Sequence, residues 1–275
     1  MGAIVGALAL VPGTASASVV FENGGVEGNW SLENSWGANA LIEIGSSPTP
    51  RSGTKALRAE VFWNSTDDGG RLHAEKIRDA VCGATGQTRW FGFSIYIPTG
   101  FTITQPGNGP SGLPLTPTFT THQCFNSGGD DPTFFFGPNI NNNNWAVRLI
   151  VDNPDSDPAN VRDFEVGPAG SLARGSWVDF VMKAKWRSGS DGLIQIWRNK
   201  SGPGEAGASI SGPNSRPNSA AMNYHTGAYA YADGDLATGE KRIAVHDNIC
   251  IATATGNDTA DFNTVNPARV PSCQP

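Results

Sequence analysis

Val178, Phe180, Met182, Ala184 and Trp186 alternate with Trp177, Asp179, Val181, Lys183 and Lys185, the period-2 signature of a strand with one buried face. A turn at Ser188–Gly192 follows, closing on Asp-Gly, and Leu193–Arg198 alternates again, so the segment reads as a hairpin. One face of it belongs in a core. The other carries Lys, Asp, Gln and Trp, which suits either a sugar stacked on an indole or an ordinary solvated sheet. Similar short runs recur at Val19–Gly24, Ala40–Gly45, Leu57–Trp63, Arg71–Arg78, Arg89–Ile97, Thr118–Phe125, Trp145–Val151, Tyr224–Tyr231 and Ile243–Ala252. Gly-, Pro- and Asn-rich connections separate them, among them Gln105–Pro117, Asn126–Pro132, Asp152–Pro158 and Ser201–Ser219. No stretch of a dozen residues has helical periodicity. Many short strands with turn signals between them predict an all-β fold, a two-sheet sandwich or jelly roll, as one domain over residues 18–275.

Composition narrows this picture. Among 275 residues, 34 Gly and 19 Pro punctuate the apolar runs, while 8 Trp and 13 Phe supply core despite 38% hydrophobic content. Met1–Val11 is apolar and leads through Pro12 to Ala15-Ser16-Ala17, the small-residue pattern of a signal peptidase site. Residues 1–17 are therefore expected to be a signal peptide, cleaved after Ala17, and the mature protein to be secreted. The run is too short to span a bilayer, and no later segment is long enough, so no membrane association is expected. The 4 Cys suit export and allow three pairings. Cys82–Cys124 and Cys250–Cys273 are the expected pairs, the second stapling the C-terminal tail. No two cysteines have the close spacing of a zinc site. A net charge of −6 argues against a nucleic-acid partner.

Motifs add a resemblance. In order they are FENG at Phe21–Gly24, SGTKALRAEV at Ser52–Val61, RLHAE at Arg71–Glu75, WFGFSIYIPTGF at Trp90–Phe101 and HQ at His122–Gln123. GSWVDFVMKAKW and DGLIQIW in the hairpin, GAY at Gly227–Tyr229 and DNICIA at Asp247–Ala252 complete the set. Together they resemble secreted polysaccharide lyases of the glucuronan lyase and heparin lyase I type, over most of residues 18–275. The resemblance implies a β-jelly roll, a concanavalin-like sandwich of two antiparallel sheets with a substrate cleft on a concave one. It also implies an enzyme that cleaves a uronate-containing polymer, glucuronan- or alginate-like, by β-elimination at O4.

That chemistry sets a parts list. The C5 proton is too weakly acidic while the C6 carboxylate is ionised, so that carboxylate must be neutralised and the enolate-like intermediate stabilised. A base removes the C5 proton and an acid protonates the leaving O4. In β-D-glucuronate and mannuronate both sites lie on one ring face, so a single tyrosine can serve, given cations that favour its phenolate. Tyr229 matches the tyrosine of the family, following Gly-Ala where the family has Gly-Ile; His225 and Thr226 stand where the family carries a Lys. Tyr231 shares its strand face, as a substrate contact, and Tyr224 is a second candidate for the base. Arg71, His73 and Glu75 project from one face by alternation. The resemblance gives Arg71 and His73 the task of gripping the carboxylate or tuning Tyr229.

His122 and Gln123 point to opposite faces, so only one lines a cleft. The resemblance favours Gln123 as neutraliser. Local polarity favours His122, grouped with Thr118 and Thr120, and sets Gln123 between Phe119 and Phe125. Arg148, Lys183 and Lys185 are candidate substrate cations at outer subsites. Glu22 and Asp247 correspond to calcium positions of jelly-roll proteins, with Asn248 and carbonyls completing a structural shell. No cofactor is needed for catalysis, and a monomer acting on an acidic polysaccharide is expected. Two rival readings stand beside this one. A sandwich hydrolase needs two carboxylates, for which Asp163 and Glu165, or Glu60 near Glu75, are the candidates. A non-catalytic glycan-binding module is the other.

Overall fold

Apolar alternation drives two antiparallel sheets together face to face. The computed structural model describes residues 18–23, 30–35, 39–62, 71–100, 118–126, 133–151, 160–231, 239–269 and 273. The expected leader, residues 1–17, and the Gln105–Pro117 loop lie outside them. Sheet 1 contains β1 (Ser18–Asn23), β3 (Ala40–Ile44), β4 (Ala56–Phe62), β6 (Thr88–Tyr96), β11 (Trp177–Lys185), β12 (Leu193–Arg198), β13 (Ala208–Ser211) and β15 (Lys241–Thr253). Sheet 2 contains β2 (Leu32–Ser35), β5 (Arg71–Gly83), β7 (Thr120–Phe125), β8 (Phe134–Asn139), β9 (Asn144–Ile150), β10 (Val161–Val166) and β14 (Met222–Tyr231). Its order is β10-β9-β8-β7-β14-β5-β2, and the main path of sheet 1 is β13-β12-β11-β6-β15-β4-β3 with β1 beside β15. This is the all-β jelly-roll sandwich the pattern predicts.

The pattern does not predict β2, β8, β10, β13 or the helix α1 (Asp258–Val265). Strand β8 reads FFFGPN, without alternation and with Pro138 inside it. At eight residues, α1 is too short to show a helical period.

Phe91, Phe93 and Ile95 of β6, Val178, Phe180 and Met182 of β11, and Phe134, Phe136 and Trp145 of sheet 2 fill the space between the sheets. Cys82–Cys124 ties β5 to β7 within sheet 2, as expected. The outer face of sheet 1 is covered rather than solvated. There Trp90 stacks on Trp197 at 5.5 Å between centroids, Phe262 of α1 sets its edge on both, and Cys250–Cys273 staples the tail. Gly92 admits the helix: a Cβ there would lie 1.7 Å from the Val265 carbonyl oxygen. No described helix is long and apolar enough to cross a membrane.

Candidate active site

Three neighbouring strands of sheet 2 carry the polar side chains, and their register decides what meets. On β14 and β5, Tyr229 stands opposite His73, Gly227 opposite Glu75, and His225 opposite Ile77. On the other edge of β14, His225 stands opposite Gln123 of β7. Leu72, Ala74, Tyr224, Thr226, Ala228 and Cys124 of these strands are buried. Alternation therefore sends His73, Glu75, His225, Tyr229 and Gln123 to the opposite, outer face of sheet 2.

Glu75 is the centre of this group. Its Oε1 accepts a 2.6 Å hydrogen bond from Gln123 Nε2. Its Oε2 lies 3.5 Å from His225 Nδ1 and 3.8 Å from His73 Nδ1. Burial works to raise the Glu75 carboxyl, but the His225 and His73 imidazoles that face it outweigh burial and hold the pKa at about 2. The side chain is thus a carboxylate, and that settles the Gln123 amide: turning it over would set its oxygen against a negative charge. Gln123 Nε2 also lies 3.3 Å from His225 Nδ1. Phe125 stacks on the His225 ring at 5.5 Å, and the Tyr229 ring meets His73 edge-on at 6.3 Å. Tyr229 is half-buried, the more open member of the group.

The row continues across the sheet. Gln123 stands opposite Phe135 of β8, Phe135 opposite Arg148 of β9, and Arg148 opposite Asp163 of β10. Arg148 donates two hydrogen bonds to Asp163, at 2.8 and 2.7 Å. Glu165 accepts from Asn142 and Asn144. The two carboxylates a hydrolase would need are therefore both engaged as structural acceptors. Glu60 lies in the other sheet, paired with Arg58, and does not approach Glu75 as a catalytic partner.

Several expectations are corrected. His122 does not line a cleft: it is 1% exposed, packed between the sheets against Phe93 at 4.1 Å between centroids. Burial holds its pKa well below the usual histidine value, with His246 adding to the shift. Its Nδ1 is hydrogen-bonded to the Tyr224 hydroxyl at 2.6 Å. That same burial raises Tyr224 well above the usual phenol value, which removes it as a base. Gln123 reaches the outer face although Phe119 is buried, because Phe119 precedes β7 and does not share its alternation.

Lys183 and Lys185 belong to sheet 1, away from this group. Lys183 pairs with Asp258 of α1 at 2.6 Å and lies over the Trp90 ring, and Lys185 pairs with Asp191 at 3.1 Å. Arg71 and Tyr231 face each other in register two residues beyond His73–Tyr229; their side chains lie outside the described residues. So does that of Glu22, whose backbone pairs with Cys250. Asp247 accepts from the Ser52 and Asn248 amides at 3.0 and 2.7 Å, and burial pushes its carboxyl up to about 6. Among the described residues no group of three His, Cys, Asp or Glu side chains is placed to hold a metal ion, and the Glu22 side chain lies outside them.

Two members of the site were not singled out from sequence. In the sequence His225 stands only where the family carries a Lys, although its spacing of four from Tyr229 puts both on one strand face. Alternation places Glu75 on one face with Arg71 and His73 but does not show that it is the buried anchor of Gln123.

Residues 21–250 match a family model described as polysaccharide lyase. Among solved structures, an endo-β-1,4-glucuronan lyase from the fungus Trichoderma reesei superposes with a TM-score of 0.70 at 17% identity, covering 92% of this chain and 100% of that one. An alginate lyase from Klebsiella pneumoniae matches with a TM-score of 0.48 at 8% identity, over 75% of this chain and 84% of that one. A glycoside hydrolase family 131 catalytic domain from Coprinopsis cinerea matches with a TM-score of 0.48 at 12% identity, over 84% of each chain. No curated protein sequence matches the chain.

Proposed function

The chain belongs to the polysaccharide lyase family, and from that premise we propose that it cleaves a glucuronan- or mannuronate-rich polymer by β-elimination at O4. The observation that carries this reading is the convergence of Tyr229, His73, His225 and Gln123 on one sheet face around the ionised Glu75. Tyr229 takes the C5 proton and returns it to O4, since both lie on the same face of the ring. Gln123 Nε2, which has a second N–H besides the one it gives to Glu75, is the neutral donor for the substrate carboxylate and for charge that develops on it as C5 loses its proton, with His73 and His225 turned to Glu75 on either side. Gln123, anchored by Glu75, orients the sugar beside them. Glu75 is a positioning residue: a carboxylate cannot itself attract a uronate, but it fixes two imidazoles and an amide in one geometry.

Elimination leaves a C4–C5 double bond conjugated to the carboxylate, which absorbs near ~235 nm, whereas hydrolysis does not. Turnover of glucuronan read by that absorbance tests the reaction class. Reducing ends without absorbance would indicate a hydrolase, and binding with neither would indicate a glycan-binding module. Tyr229→Phe removes only the hydroxyl, so turnover is expected to fall by at least ~10²-fold, the low end of general acid–base contributions. Folding changes little, because at most one hydrogen bond worth ~1 kcal/mol is lost. Near-normal turnover in Tyr229→Phe would move the catalytic role elsewhere.

Secretion is part of the same proposal. The disulfides Cys82–Cys124 and Cys250–Cys273 suit an oxidising compartment. Intact mass of the mature protein is expected to show loss of residues 1–17 and four hydrogens fewer than the reduced form; free thiols would overturn it.

A further inference from the structure

The strand that carries Tyr229 is irregular just before it. Along the β7 edge, β14 pairs Asn223 with Phe125 through Thr226 with His122, and pairing resumes only at Tyr229 with Thr120. Three residue steps on β14 thus match two on β7, a bulge that contains Gly227 and Ala228. Along the β5 edge, pairing runs evenly from Tyr224–Arg78 to Tyr231–Arg71. A bulge leaves backbone groups on its own edge without a ladder partner, and a buried carbonyl in that position is costly. Here the partner comes from the opposite sheet. His246 of β15 donates its Nε2–H to the Gly227 carbonyl at 2.8 Å, and the imidazole is 1% exposed. Glycine is required at the acceptor position: a Cβ on residue 227 would lie 2.1 Å from the Ala74 carbonyl oxygen.

His246 has its place because β15 changes its own alternation nearby. Ala244 faces the space between the sheets, and so does His246, but after Asn248, with φ of 54°, Ile249 and Ile251 take over that face. The ring stands edge-on to His122 at 4.9 Å between centroids, and its Nδ1 has no hydrogen-bond partner among the described residues. Its one polar contact there is the bulge carbonyl. The direction of that carbonyl sets the plane of the Gly227–Ala228 peptide, and Tyr229 follows one residue later.

We propose that His246 is a positioning residue for the elimination: its bond to the Gly227 carbonyl, made from the opposite sheet, holds the bulge that sets Tyr229 beside His73. The proposal rests on Tyr229 as base and acid. A group that merely fills space would contribute to stability alone, whereas a group that aims the base acts on turnover.

The test uses His246→Leu, His246→Asn and His246→Gln, each with Tm, kcat and KM on glucuronan. Leu removes the donor and Asn keeps polarity without the reach, while the longer Gln can place an amide N–H near the same carbonyl. Misplacement by about an ångström costs on the order of 10–10²-fold, so kcat is expected to fall by that factor in His246→Leu and His246→Asn, with KM within ~3-fold of the parent. His246→Gln is expected to recover most of the lost turnover. In a Tyr229→Phe background, His246→Leu should cost less than ~3-fold further, because the two changes act through one hydroxyl. Loss of kcat in Tyr229→Phe with unchanged kcat in His246→Leu and His246→Asn would overturn the positioning role alone. So would a loss that is undiminished in the Tyr229→Phe background, or one that follows Tm and is the same in His246→Gln. Near-normal kcat in Tyr229→Phe itself would overturn the reading of the base, and this inference with it.

Discussion

A carboxyl group as buried as that of Glu75 would be neutral if burial were its only influence. It stays ionised because His73, His225 and the Gln123 amide all face it. The consequence can be measured. Its folded pKa of about 2 lies below the ordinary glutamate value of 4.5, so the ion's contribution to stability is complete above about pH 4.5 and is lost as pH falls through 2. Glu75→Gln is expected to be less stable than the parent at neutral pH and to lack this acid-side loss. Urea midpoints followed from pH 7 to pH 2 check it; parallel curves would show that Glu75 is not held as an ion. The same residues show where sequence reading stops. Thr118, Thr120 and His122 look like a solvent face because polar side chains usually are one. Here they are buried: the Thr118 hydroxyl accepts from the Ile140 amide at 2.9 Å, and His122 meets the Tyr224 hydroxyl at 2.6 Å through Nδ1. Polarity could not separate a satisfied interior from a cleft. The resemblance, which favours Gln123, agrees with its register opposite His225 on the outer face.

At the scale of elements, the hairpin of β11 and β12 lay open in the alternation, and its partner surface did not. Val181, Lys183 and Lys185 read as an outward face, and they are one, but α1 and the C-terminal staple cover part of it. A short helix of eight residues leaves no period to find, and its docking depends on Gly92, whose role appears only once β6 and α1 touch. The cover matters for stability rather than chemistry. Phe262 is fully buried against Trp90 and Trp197. Phe262→Ala is therefore expected to cost about 3–5 kcal/mol of folding stability, the usual range for a buried phenylalanine. Turnover of the folded fraction should be unchanged, since the Tyr229 group lies on the outer face of the other sheet. Thermal unfolding and kcat measured on one preparation separate the two. A parallel fall in kcat at a temperature where the variant is fully folded would show that the covered face communicates with the site.

For the molecule as a whole, charge decides among polymers that all carry uronates. The net charge of −6 gives a long-range field that repels polyanions, and the repulsion grows with their charge density. Local cations can outweigh a global field, as they do wherever an acidic protein binds an acidic ligand. Yet the cations that sequence offered for outer subsites are already engaged: Lys183 by Asp258, Lys185 by Asp191 and Arg148 by Asp163. Redirecting any of them to a sulfate would first break an existing pair. A chain with one carboxylate per sugar needs a compensating donor only near each uronate, the task the proposed function gives to Gln123 beside His73 and His225. Glucuronan or mannuronate-rich chains are therefore expected to have a higher kcat/KM than heparin. Added salt, which screens the global field, should narrow the gap by speeding heparin more than the polyuronates. Rates on the three polymers at low and moderate ionic strength decide the matter. Faster turnover of heparin at low salt would overturn the preference and point to cations of this site face beyond the described residues.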